Sequence, residues 1–228
     1  MAIRQDLIMK MIEQLAETFQ RIFAGDSHDD PERKLIELEG ALAEVFRTRR
    51  ELLFMQPMQM IEEFDGRLNA EVGRAFVEHA RLNEKLGRQE LADRSWELAV
   101  EALRRGVGVD LQTSSENAND VLREMMRGEV GGRFLTSAEM ADLWRDIFEK
   151  ESAAQRFDLA EDALFHAIDL ADDPTDHVLR GIRHYKSLRQ FSEEKLDEAG
   201  LPIDEVEATL EELEALNHST NPSGTHSG

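Results

Sequence analysis

Cysteine is absent from all 228 residues. Its absence excludes disulfides, thiolate zinc sites, iron–sulfur clusters and a cysteine nucleophile, and it fits a reducing compartment, so a cytoplasmic protein is expected. Long apolar runs are missing too. A mean hydropathy of −0.50 with 33% charged residues leaves no stretch that reads as a membrane span. At the start of the chain Asp6, Lys10, Glu13 and Glu17 interrupt the apolar residues, so residues 1–23 read as neither a signal peptide nor an anchor. Basic side chains are scarce, 27 against 48 acidic ones, for a formal net charge of −21. Such a surface repels phosphates, which argues against nucleic acid or an anionic membrane as a partner.

Sequence motifs for catalysis are equally scarce. No Gly-x-x-x-x-Gly-Lys occurs, and Gly106-Val107-Gly108 follows a helical pattern rather than a strand, so neither phosphate loop is supported. No Gly-x-Ser-x-Gly elbow and no His-Glu-x-x-His helix are found. A di-iron bundle needs Glu three residues before His, but Phe76, Ala163, Pro174 and Gly181 stand before His79, His166, His177 and His184. His28-Asp29 resembles the central pair of a metal phosphohydrolase site, without an upstream histidine to complete it. No cofactor and no enzymatic activity are expected.

Helical periodicity is what the chain does carry. Leu7, Ile8, Met11, Ile12, Leu15, Phe19, Ile22 and Phe23 recur at steps of three and four, an apolar stripe for a core-facing or homodimerising helix that Gly25 and Asp26 end. Asp29 and Asp30 before Pro31 start a second helix with the stripe Leu35, Leu38, Leu42, Val45 and Phe46. The cluster Arg47, Arg49 and Arg50 suits that helix's C-terminal dipole or an anion. Leu52 to Met60, broken by Pro57, reads as two short turns closed by Gly66. Asn69 can cap the next helix, where Phe76, Ala80 and Asn83 share a face. After Leu86-Gly87 come Ala92, Trp96 and Ala99, stopped by Gly106. The small residues let two helices approach closely while Phe76 and Trp96 fill the wedge between them.

This pattern resembles a tetratricopeptide repeat: an aromatic, a small residue, a turn glycine, alanine, an aromatic four on and alanine three further. A second copy appears in Trp144, Ile147, Ala160, Leu164 and Ala167, with Pro174 after it. Trp144 follows Phe76, and Ala160 follows Ala92, by 68 residues, twice the repeat length of roughly 34. Val178, Ile182 and Tyr185 continue as a capping helix. The second copy departs from the pattern with Phe148 at the small position and Gln155 at the turn glycine. Between the copies, Val107-Gly108, Thr113-Ser114-Ser115 and residues 128–132 leave one helix, Glu116 to Arg127, as a degenerate unit. The N-terminal order, with Asp6-Leu7-Ile8-Met9, a second helix and then one hairpin, also resembles a bacterial family of small helical proteins of unknown function.

The expected fold is all-α: a helical pair over 1–66, tetratricopeptide-like hairpins in a right-handed array over 67–188, acidic helices over 189–216 and a disordered tail over 217–228. The acidic helices start at Ser192, break at Gly200 and resume from Asp204 to Leu216, and their ten acidic side chains against Lys195 read as a solvated face. The repeat resemblance implies an adaptor or scaffold that grips a peptide or partner helix. Its groove positions would be Arg74, Val77, Arg81, Glu84 and Lys85, then Asp142, Arg145 and Glu149. Arg74, Arg81 and Lys85 align on one helix face to take an acidic segment, for which the Glu-rich C-terminus could compete, or to pair with Glu71, Glu78 and Glu84. The alternative is a metal-binding or metal-dependent hydrolytic bundle using His166, Asp169, His177 and His184, with Asp162 one turn before His166.

Overall fold

Helix signals become helices almost throughout. The computed structural model describes residues 2–23, 30–50, 57–111 and 117–220; it is about 82% helical, with twelve helices and no strand among the described residues. The expectations that rest on Gly25, Asp26, His28, Asp29, Leu52 to Gln56 and Thr113 to Ser115, and on the tail from 221 onward, lie outside the described residues. No described helix is long and apolar enough to cross a membrane. The chain divides into two compact units, Met1–Phe134 and Leu135–Gly228.

The first unit begins with α1 (Ala2–Phe23) and α2 (Pro31–Val45). Asp30 caps α2 by accepting the Glu32 amide at 3.0 Å, with Pro31 in the first turn, where a missing N–H costs nothing. The α2 stripe is fully buried. On α1, Met11, Ile12, Leu15, Phe19 and Ile22 are buried, whereas Leu7 and Phe23 at the ends of the stripe stay exposed. The short α3 (Pro57–Glu63) leads to the hairpin of α4 (Gly66–Lys85) and α5 (Gln89–Arg105).

The cap of α4 is Asp65, whose carboxylate accepts the Leu68 amide at 2.9 Å, and not Asn69. Because the helix already starts at Gly66, Asn69 lies a turn inside. There it is buried and donates its Nδ2 to the Phe64 carbonyl. Gly73 lets the α4 and α5 backbones meet, since a Cβ there would stand 2.6 Å from Leu103 Cγ. Then α6 (Ala118–Arg127) starts with a capping box between Asn117 and Asp120. The glycine-rich residues after it, expected only as a break, include the short α7 (Glu129–Phe134).

The second unit pairs α8 (Ser137–Ala153) with α9 (Phe157–Leu170), and α10 (Thr175–Leu188) with α12 (Ile203–Thr220), with the short α11 (Glu193–Glu198) between them. The two repeat-like hairpins turn in the same way. Gly87 at φ 69° and Gln155 at φ 58° both adopt the left-handed conformation, again 68 residues apart. In each turn the next residue's amide closes back onto the helix: Arg88 to the Asn83 carbonyl at 2.9 Å, Arg156 to the Glu151 carbonyl at 3.0 Å.

The acidic C-terminal helices belong to this second unit's core, because Val206, Leu210 and Leu213 of α12 and Leu196 of α11 are buried. The carboxylates between them face outward, as a solvated face requires. α12 also runs through Asn217, His218 and Ser219 to Thr220, where a disordered tail was expected. Leu213 and the half-buried Leu216 hold its last turns against the unit.

Candidate functional site

Arg74, Arg81 and Lys85 lie along one side of α4, yet their surroundings differ. Arg74 is mostly covered, with Nη2 at 3.3 Å from Glu78 Oε1. Arg81 donates Nη1 to the same Glu78 oxygen at 2.9 Å, and Nη2 to Glu124 Oε1 of α6 at 2.7 Å. Glu84 accepts the Trp96 indole N–H at 2.9 Å. Lys85 is exposed and has no ion-pair partner among the described residues. Val77, expected in the groove, is wholly buried. α4 is packed by α1, α2, α5 and α6, and a strip through Glu78, Arg81 and Lys85 stays partly open.

That strip forms one wall of a cleft of about 570 Å³. Phe23 from α1 and Pro31 and Lys34 from α2 form the other wall, Leu82 lies at its base, and Arg81, Glu84 and Lys85 of the expected set all line it. Lys34 places its ammonium 5.8 Å from the centre of the Phe23 ring. Three lining side chains are cationic, Lys34, Arg81 and Lys85, and two are carboxylates: Glu78, held by two arginines, and Glu84, which accepts the Trp96 indole N–H. Sequence reasoning missed Phe23, Pro31 and Lys34, because it assigned them to a separate helical pair. The signal available was Lys34 one turn into a helix that begins beside Phe23's helix end.

In the second unit Arg145 and Glu149 each take other partners. Arg145 is braced by Asp142 at 2.5 Å and Asp146 at 3.0 Å, and Glu149 receives Arg180 at 2.8 Å. Burial opposes the charge on Arg145, but the two aspartates outweigh it and hold the guanidinium above its ordinary value.

The histidines are spread through different environments. His166 stacks on Trp144 at 4.5 Å between ring centres and sits 3.5 Å from Asp162. His177 is buried, and burial together with nearby Arg145 pushes it below its ordinary value. His184 packs edge-on against Phe148, Phe157 and Tyr185, and this burial pushes it down to about 4. Among the described residues no three His, Asp or Glu side chains come together to hold a metal ion.

A buried polar chain joins α2, α4 and α5. His79 Nδ1 lies 2.7 Å from Ser95 Oγ, and its Nε2 lies 3.3 Å from Glu39 Oε1. Burial would raise the Glu39 carboxyl, but His79 and Arg50 outweigh it and hold it below the usual range. The Ser–His–Glu order has the look of a nucleophile relay. Ser95, however, is fully buried on a helix and donates to the Leu91 carbonyl at 2.6 Å, so no substrate reaches it. The network holds three helices in register.

No curated protein matches this chain. No solved structure matches it either. No tetratricopeptide family matches, and the expectation of a family of unknown function holds over nearly the whole length. The chain belongs to the Family of unknown function (DUF6483), which matches residues 2–218.

Proposed function

We propose that the protein is a non-catalytic adaptor or scaffold that takes an acidic segment of a partner protein into the α1/α2/α4 cleft. The observation that carries this reading is Lys85, exposed and with no ion-pair partner among the described residues, lining a cleft together with Lys34, Arg81 and the apolar Phe23, Pro31 and Leu82 in a chain of net charge −21. Arginine and lysine bind carboxylates through charge-assisted hydrogen bonds, and a partly enclosed cleft strengthens them relative to open water. Phe23, Pro31 and Leu82 add apolar surface for a side chain between the acidic ones. A tetratricopeptide-like arrangement is part of the proposal, supported by the matching left-handed turns at Gly87 and Gln155. The lack of cysteine supports the cytoplasm as its compartment.

The test is fluorescence anisotropy with a labelled decapeptide of alternating Glu and Leu, titrated with wild type and with an R81A/K85A variant at rising salt. Arg74 is left intact because its covered guanidinium braces Glu78. The reading requires binding by wild type, loss of about tenfold in the variant, chiefly from the Lys85 charge-assisted contact, and weaker binding of the peptide with Gln in place of Glu. Equal affinity of wild type and variant would refute it.

A further inference from the structure

We infer that Glu124 of α6, which lies outside the residues lining the cleft, is a built-in competitor for one of the cleft's cations: it holds the Arg81 group that a partner's carboxylate takes. This rests on the reading of the cleft as a site for an acidic segment. Arg81 has two separable contacts. Nη1 is held by Glu78 of its own helix at 2.9 Å, three residues away, a pair that fixes the guanidinium in position. Nη2 points to Glu124 Oε1 at 2.7 Å, 43 residues away on α6.

The two carboxylates differ in burial. The Glu78 side chain is only 14% exposed, whereas that of Glu124 is 60% exposed. Glu124 therefore leaves at little cost, because an exposed ion pair contributes only about 0–1 kcal/mol. Glu78, with Arg74 also on it, stays. The structure thus names the ligand chemistry at this subsite: a carboxylate reaching Nη2 of an arginine that is already positioned. A partner segment exchanges one carboxylate for another there, so its net gain from Arg81 is small while Glu124 is present. Lys85, which has no internal carboxylate partner among the described residues, supplies the larger share of the charge attraction. The Glu124 side chain acts as a latch whose release tightens the cleft's grip, while α6 stays packed through Val121, Leu122 and Met125.

The experiment uses the full chain and the same labelled Glu–Leu peptide, with wild type, E124Q, R81A and the double variant R81A/E124Q. Glu124 is exposed, so E124Q folds as wild type does, which circular dichroism verifies. The expected result is about two- to fivefold tighter binding by E124Q, the range of one exposed ion pair. That gain should vanish in the R81A background, since the competition runs through that guanidinium. Wild type and E124Q binding the peptide equally, or E124Q gaining as much without Arg81, would overturn the latch and leave the cleft reading intact. Failure of the peptide to bind either protein would remove the cleft reading and the latch with it.

Discussion

Lowering the pH should strip stability from the second unit through one side chain, His184. Its ring is enclosed by Phe148, Phe157 and Tyr185 at centre distances of 5.2, 5.9 and 5.5 Å. No carboxylate faces it to stabilise a charge, and burial alone moves it from 6.5 to about 4. A histidine kept neutral by the fold contributes stability that is complete above 6.5 and is lost as the pH falls toward its folded value, because the unfolded chain takes up the proton first. The full effect is about 3 kcal/mol, of which about 2 kcal/mol is lost by pH 5. Urea unfolding at pH 7.5 and pH 5 measures the loss in wild type, and the same pair of measurements on H184F removes this group's share, so the two proteins should differ by about 2 kcal/mol in their pH response. Other carboxylates and His177 titrate equally in both and cancel. The imidazole Cε1 proton in an NMR titration gives the same quantity directly. A midpoint near 6.5, or identical pH responses of wild type and H184F, would refute the argument that the aromatic cage excludes the charge.

The other predictions concern packing and backbone. Q155G should raise stability by about 0.5–1 kcal/mol, because a side chain in the left-handed region is strained and glycine is not, while G87A should lower it by about 1–2 kcal/mol; thermal or urea melts read both. G73A should cost about 1–3 kcal/mol, since the new Cβ meets Leu103 Cγ at 2.6 Å and its backbone nitrogen at 2.9 Å, whereas G40A, with open space around it in α2, should be neutral or stabilising. E39Q should destabilise by about 1–3 kcal/mol by weakening the contacts to His79 and Arg50. In wild type that contribution is present above the ordinary carboxyl value of 4.5 and fades as the pH drops through the lower folded value; urea melts of both proteins between pH 7 and pH 3 should converge at the acidic end.

What could be read from the sequence was whatever depends on neighbours close in the chain. The stripe of α2, the hairpin turns and the inward alanines Ala92, Ala99, Ala160 and Ala167 follow from spacing and side-chain size, and all four alanines are fully buried. The 68-residue offset even survives the loss of the turn glycine, since Gln155 adopts the conformation that glycine holds at 87. Positions that depend on distant partners were misread. Val77 shares a helix face with Arg74 and Arg81 in a wheel projection, yet it is wholly buried, and nothing in residues 70–85 announces that α1 and α2 pack on α4. The cleft itself joins residue 23 to residue 85. Likewise Glu124 reaches Arg81 across 43 residues, beyond any local pattern.

If the cleft takes an acidic segment as proposed, the distribution of charge requires it to work at contact range. The first unit holds 26 acidic and 19 basic residues, the second 22 and 8, so two thirds of the net charge of −21 belongs to the smaller, C-terminal unit. An acidic segment approaching from solution meets a repulsive field from the chain as a whole, and nothing steers it inward. At about 0.1 M salt that field is screened over about 10 Å, a distance longer than an Arg or Lys side chain, so the local cations act only once the segment has arrived. On the proposed reading, affinity depends on what is desolvated at the cleft: Lys85, which has no ion-pair partner among the described residues, Arg81 positioned by Glu78, and the apolar faces of Phe23 and Leu82. A generic polyanion gains little from this arrangement. On the proposed reading, a segment with an apolar side chain set between two carboxylates satisfies every part of it, and the surplus negative charge elsewhere would then select against acidic chains that lack the apolar contact.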